Sequence, residues 1–152
     1  MHSELLRKAN QVIDRPYSEI HVGDTASFTR VITEQDIHDF ATLTEDVNPI
    51  HIDEKFAKET MFKGRIAHGM LTAGFISTLI GTLLPGKNVV YLTQNCKFTA
   101  PVRIGDTLKI SGEIVEKRPE KKILSIQTDV YNQNNEKVIE GNAVVMKMEV
   151  TN

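Results

Sequence analysis

Asp46 and His51 stand five positions apart in the stretch Asp46-Val47-Asn48-Pro49-Ile50-His51. A carboxylate beside an imidazole can divide a proton transfer: one takes a proton from water while the other donates or orients a second. Each such positioned group contributes about 10²–10⁴ in rate. Side chains meet on a helix at spacings of three or four, so five is a poor helical spacing. Pro49 also disfavours a helix running through Asn48. A loop must therefore bring the pair together, and loops on rigid scaffolds are where chemistry concentrates. The plainer reading is a turn at Asn48-Pro49, with Asp46 ending one helix and His51 half-exposed before the next. Residue types alone leave both readings open.

The His68-Gly69 step is a second candidate. It reads as the start of a helix, where the first amides lack internal acceptors and sit at the positive dipole end. A glycine there leaves its N–H open to an incoming carbonyl oxygen, which makes a simple oxyanion donor. The same glycine could equally serve tight packing alone. Ser77, inside that helix, reads first as a serine bonding back to the preceding turn. His38, flanked by Asp36 and Asp39, reads as a solvated-face residue. The five histidines show no metal-ligand spacing, so no metal is expected.

The elements that must position these groups fall into two halves. Leu5, Leu6, Ala9, Val12 and Ile13 predict a short amphipathic helix that Ser3 can cap, an N-terminal extension over residues 1–21. A strand is expected over 25–32, then a helix capped by Thr33 with Ile37, Phe40, Ala41 and Leu43 on one stripe. Asp53 can cap a further short helix that Gly64 breaks. From Gly69 to Gly86 there is no charge, a length approaching a membrane span. Gly, Ser and Thr punctuate that run, so it is expected to be a buried central helix, apolar on all sides, and not a membrane segment.

The second half carries four strand-like runs. Val90, Leu92, Cys96 and Phe98 are expected on one face of the first; Leu108, Ile110 and Ile114 on one face of the next; Leu124, Ile126, Thr128 and Val130 on one face of the third. Turns at Ile104-Gly105-Asp106, Arg118-Pro119-Glu120 and Asn134-Asn135 predict an antiparallel meander. One helix and about five strands give an α+β single domain over 22–152, with a curved sheet wrapped around the long helix. Ala73, Gly74, Ser77 and Gly81 are expected to let the sheet approach the helix closely. This is the hot-dog arrangement. Its exposed sheet edge points to a homodimer.

The totals agree with a soluble domain. The chain has 152 residues, 40% of them hydrophobic, with 18 basic and 20 acidic side chains and a formal net charge of −2. One domain of that length can bury a core without staples. No basic excess or motif points to nucleic acid. The lone Cys96 cannot form an internal disulfide and reads as a small buried residue in a reducing compartment, and the first residues lack the apolar core of a secretory signal. A cytoplasmic location is expected.

The segment "LTEDVNPIHIDEKFA…GRIAHGMLTAGFIS" closely resembles the MaoC-like (R)-specific enoyl-CoA hydratases, the hydratase-2 family. Their signature Asp-x-Asn-Pro-x-His is matched by Asp46, Asn48, Pro49 and His51. Their His-Gly-Met helix start is matched by His68, Gly69 and Met70. "YLTQNCKFTAPVRIGDTL" is similar to the family's second-half pattern, and the resemblance spans about residues 22–150. It implies addition of water to a trans-2-enoyl-CoA, giving the (R)-3-hydroxyacyl-CoA, and the reverse dehydration. Asp46 would take the water's proton, His51 would help protonate C2, Asn48 would help fix the pair or the substrate, and the Gly69 N–H would meet the thioester oxygen. Ser77 matches a family serine near the site, and His68 and Met70 would contact substrate. No cofactor is implied, coenzyme A being part of the substrate. Lys63, Arg65, Lys87 and Arg103 could meet its phosphates, although such side chains usually only solvate. Met70, Phe75, Leu79 and Phe98 could set tunnel depth. The same resemblance leaves three rivals: a 3-hydroxyacyl-ACP dehydratase, an acyl-CoA thioesterase and a non-catalytic acyl-CoA-binding domain.

Overall fold

The computed structural model describes residues 1–150. The chain forms α1 (His2–Asn10), β1 (Thr25–Val31), α2 (Glu34–Thr44), α3 (Pro49–Ile52), α4 (Glu54–Glu59), α5 (Gly69–Thr82), β2 (Val89–Phe98), β3 (Thr107–Arg118), β4 (Ile123–Tyr131) and β5 (Lys137–Lys147). Five antiparallel strands in the order β1-β3-β4-β5-β2 make one sheet, which packs on α5 in the expected hot-dog arrangement. No helix among the described residues is long and apolar enough to cross a membrane.

The meander holds only for β3, β4 and β5. The first long strand of the second half, β2, pairs with β5 at the far edge. Residues 99–106 carry the chain back across the sheet: Thr99 N–H bonds Val138, Ala67 N–H bonds Val102, and Gly105 N–H bonds Ile32. Gly105 takes a φ of +92°, as the turn requires.

The faces of β3 and β4 fall as expected, with Leu108, Ile110, Ile114, Leu124, Ile126, Thr128 and Val130 all buried. The face of β2 does not. Its register slips between Tyr91 and Thr93, so Tyr91 lies opposite Val145 while Gln94, Cys96 and Phe98 lie opposite Ala143, Gly141 and Ile139. Leu92 is the extra residue of a bulge, and one extra residue reverses the alternation on either side of it. Tyr91, not Leu92, therefore joins Gln94, Cys96 and Phe98 beside the helix.

Two further expectations are corrected. The helix is not buried all round: Thr72, Ile76, Leu79 and Ile80 are buried, while Met70, Gly74 and Ser77 are exposed. A Cβ placed on Gly74 or Gly81 would touch nothing, whereas one on Gly112 of β3 would lie 2.7 Å from Leu79 Cδ2. Close approach thus comes from a glycine in the sheet receiving a leucine of the helix.

The division at residue 21 does not match the packing either. Helix α1 buries nothing, and Ser3 does not cap it. Tyr17 and Ile20, by contrast, belong to the core. Residues 13–14 are pinned to the far end of α5: Lys87 N–H bonds Ile13, and the buried Lys147 ammonium bonds Asp14 at 2.5 Å. Truncating the fully buried Ile20 to alanine should therefore cost about 2–5 kcal/mol. Deleting residues 2–10 should change stability by no more than about 0.5 kcal/mol. Urea unfolding of the two variants checks both; equal losses would contradict this partition.

Candidate active site

Helix α2 starts on a full capping box, with Thr33 accepting from Asp36 N–H and Asp36 accepting from Thr33 N–H. It ends at Glu45, whose φ of +62° places it in the left-handed region and turns the chain away. Asp46 follows, its carboxylate accepting from Asn48 N–H at 3.2 Å. The Asn48 side chain then accepts from Ile50 N–H at 3.3 Å, and Pro49 occupies the first helical position of α3. A proline suits that position because its missing N–H would have had no partner there. His51 consequently lies on a one-turn helix, not in a loop. Asn48 is the cap that starts it.

The segment 46–51 crosses over residues 66–69. Ile66 N–H bonds the Ile50 carbonyl at 3.3 Å, and His51 Nδ1 lies 2.8 Å from the Ile66 carbonyl. His68 Nε2 lies 3.0 Å from the Asp46 carbonyl. A carbonyl can only accept, so each of these nitrogens carries a proton. In the neutral rings, His51 Nε2 and His68 Nδ1 are then bare. The rings stack, with centroids 3.9 Å apart and 31° between planes, and Phe40 lies 4.7 Å from His68 on its ring centroid.

The Asp46 carboxylate and one nitrogen from each of His51 and His68 all lie within 4.8 Å of one another. Two hydrogen bonds of about 2.8 Å meeting at a tetrahedral angle span about 4.6 Å, so one water fits between carboxylate and imidazole. The same three groups could be considered as metal ligands, which sequence spacing did not reveal. The two rings lie face to face, tilted by 31°. One nitrogen of each is also committed to a carbonyl. The set suits proton handling better than a cation.

Burial, the largest influence, holds the His51 pKa below its usual value, and the neighbouring His68 adds to this. The Ile66 hydrogen bond and Asp46 act in the opposite direction. The ring is accordingly neutral at pH 7, with Nε2 available as a base.

His51 and Gly69 share a cavity of about 570 Å³, whose other walls include Phe62, Ile66, Val102 and Ile139. Gly69 is the first residue of α5; the turn's bonds run from Leu71 and Thr72 back to the His68 carbonyl. Its own amide has no intrahelical acceptor. Met70 also lines this cavity. His68, 2% exposed, is not among its walls, and its ring meets the Asp46 backbone carbonyl. Ser77 lies in a neighbouring cavity, apart from the His51 pocket.

Two residues gain significance that their types did not signal. Thr72 lines the His51 cavity, and its hydroxyl is buried without a partner. Arg65 bonds Glu34 of α2 through two nitrogens, at 2.9 and 2.5 Å, and reaches Glu54 of α4 and the His51 carbonyl. It is a strut around the site and not a free phosphate partner. Arg103 is likewise engaged, by the Phe62 carbonyl at 2.6 Å.

The sequence profile of the MaoC like domain matches residues 19–136. The chain is 46% identical to the (R)-specific enoyl-CoA hydratase of Rhodospirillum rubrum, over 91% of this chain and 95% of that protein. It is 41% identical to the 3-hydroxybutyryl-CoA dehydratase of Methylorubrum extorquens, over 85% and 82%. Among solved structures, the unliganded R-hydratase PhaJ1 from Pseudomonas aeruginosa superposes with a TM-score of 0.83 at 41% identity, covering 91% of this chain and 93% of that one. A matched profile over most of the chain, together with these identities, places the chain in the MaoC-like domain family.

Proposed function

We propose that the chain is an (R)-specific enoyl-CoA hydratase, a hydro-lyase that adds water across trans-2-enoyl-CoA and runs the reverse dehydration. The observation that carries this reading is the His51 ring: its Nδ1 proton is tied to the Ile66 carbonyl, its Nε2 is bare, and the Asp46 carboxylate lies within 4.8 Å of it. The relatives described above bear the matching names.

We assign the two roles differently from the reading of the resemblance. Imidazole is a stronger base than a carboxylate. His51 Nε2, not Asp46, takes the water's proton as the oxygen bonds to C3. Asp46 accepts a hydrogen bond from the water's other O–H, which stays on the product hydroxyl, and stabilises the imidazolium that forms. The displaced electron pair moves onto the thioester oxygen, where the Gly69 N–H donates to it; one such donor is worth about 10²–10³ in rate. His51 then returns the proton to C2 on the same face, which gives net syn addition.

The protein acts as a homodimer paired along β2. That strand is a sheet edge, Tyr91, Leu92 and Phe98 on it are exposed, and the open face of α5 lies beside it. Pairing would satisfy the edge and cover this apolar surface. We place the enzyme in the cytoplasm, where a lone thiol stays reduced.

Three measurements test this reading. Asp46→Asn and His51→Ala should each lower crotonyl-CoA hydration about 10²–10⁴-fold with unchanged circular dichroism. Near-normal turnover, or release of free thiol without loss of the enoyl absorbance, would refute it. Because hydration needs neutral His51 and its pKa is lowered, activity should persist as pH falls and fail only below the ordinary histidine value of about 6.5. A kcat/KM limb centred above that value would contradict the assignment. His68→Phe keeps the stacked ring but loses the bond to Asp46, so kcat should fall about ten- to a hundredfold with little change in KM. His68→Gln, whose amide can reach the same carbonyl, should recover part of the loss.

A further inference from the structure

Two cavities meet at the start of α5. The first, of about 570 Å³, contains His51 and Gly69. The second, of about 480 Å³, runs along α5 and β2 past Gly74, Ser77, Tyr91 and Cys96. Only Met70 and Phe98 belong to the walls of both. Met70 is a flexible, largely exposed side chain, whereas the Phe98 ring is flat and rigid and lies directly against the candidate oxyanion donor. A methyl placed on Gly69 would sit 2.9 Å from Phe98 Cε1 and 3.0 Å from Cδ1.

Phe98 is the last residue of the edge strand, opposite Ile139. An acyl chain whose C2 and C3 sit beside His51, with its carbonyl at Gly69, has apolar wall around it in the first cavity and meets this ring on the way to the second.

We propose that Phe98 is a specificity-determining partition: its ring separates the cavity holding the reacting atoms from the one beyond, and side-chain size at this position sets how long an acyl group the enzyme accepts. The inference rests on the enoyl-CoA hydratase reading and adds the residue that tunes it. The bulge at Leu92 is what puts Tyr91 on the same side as Cys96 and Phe98. Pairing of two copies along β2 would roof the second cavity, leaving the Phe98 ring as the wall between it and the first.

The test is the ratio of kcat/KM for trans-2-octenoyl-CoA to that for crotonyl-CoA, measured for the intact chain and for two substitutions of opposite size. Phe98→Ala should raise the ratio about tenfold or more, since each methylene accommodated in an apolar site is worth about 10–200-fold in discrimination. Phe98→Trp should lower it. Phe98→Leu guards against loss of fold in the alanine variant and should move the ratio in the same direction as alanine, by a smaller factor. Ratios within about twofold of the unsubstituted chain for both Leu and Trp, with crotonyl-CoA still hydrated, would overturn the partition and leave the hydratase reading standing. Failure of the unsubstituted chain to hydrate either substrate would instead overturn the hydratase reading itself.

Discussion

Where residues 46–51 cross residues 66–69, three hydrogen bonds tie one segment to the other, and two of them use imidazole protons. Ile50 receives the Ile66 amide, Ile66 receives His51 Nδ1, and Asp46 receives His68 Nε2. Each histidine donates to a carbonyl of the opposing segment, so fixing one tautomer fixes the position of the other strand of the crossing. The crossing and the head of α5 are therefore one unit: the bonds that leave His51 Nε2 bare also bring Asp46 near it and hold His51 in the cavity that Gly69 lines. For His51 the partly dry setting favours the neutral ring, because charging it there would require a partly buried cation.

Around that crossing the protein invests in one cation. The Arg65 side chain is mostly buried and holds Glu34 with a two-nitrogen contact, with Glu54 and the His51 carbonyl on its other sides. A planar guanidinium is suited to such multiple acceptance. Its partners come from the first turns of α2 and α4, so both helices are braced against α3. The Glu34 carboxyl is held below its usual range chiefly by this hydrogen bond, and the guanidinium is stabilised in return. The contact works as an orienting brace for the one-turn helix that carries His51, which by itself has too few residues to be stable.

The helix and sheet meet unequally. Leu79 enters the space that Gly112 leaves open, and Ile76 and Ile80 complete the contact, while the opposite side of α5 faces outward along β2. An apolar helix covered on one side, a sheet edge with exposed aromatic rings and a cavity between them form a single incomplete surface. The fold of one chain is thus finished at its core and unfinished at its edge. The edge adjoins the His51 cavity through Phe98, which lines that cavity and the one along β2.

Much of this was readable in the chain itself, because some signals act over a few residues. Thr33 and Asp53 cap their helices, Asn134-Asn135 turns, and β3 and β4 alternate, since caps, turns and pleats depend only on neighbours. Asp46, Asn48, His51 and Gly69 could be singled out by type and spacing, and residues 46 and 51 do meet. What no local pattern contains is which distant groups they meet. The bond from His51 to Ile66, the stacking on His68, the Arg65 brace and the burial that depresses the His51 pKa all join residues far apart in the chain. The bulge at Leu92 escaped for a related reason: alternation of hydrophobic residues continues through it, and only pairing with β5 shows that one residue has been left out. Ser77 and His68 were expected at the substrate from the family resemblance alone. The distance of the first from the His51 cavity and the enclosure of the second were decided by how the sheet packs, since a helix face acquires an inside and an outside only when something covers it.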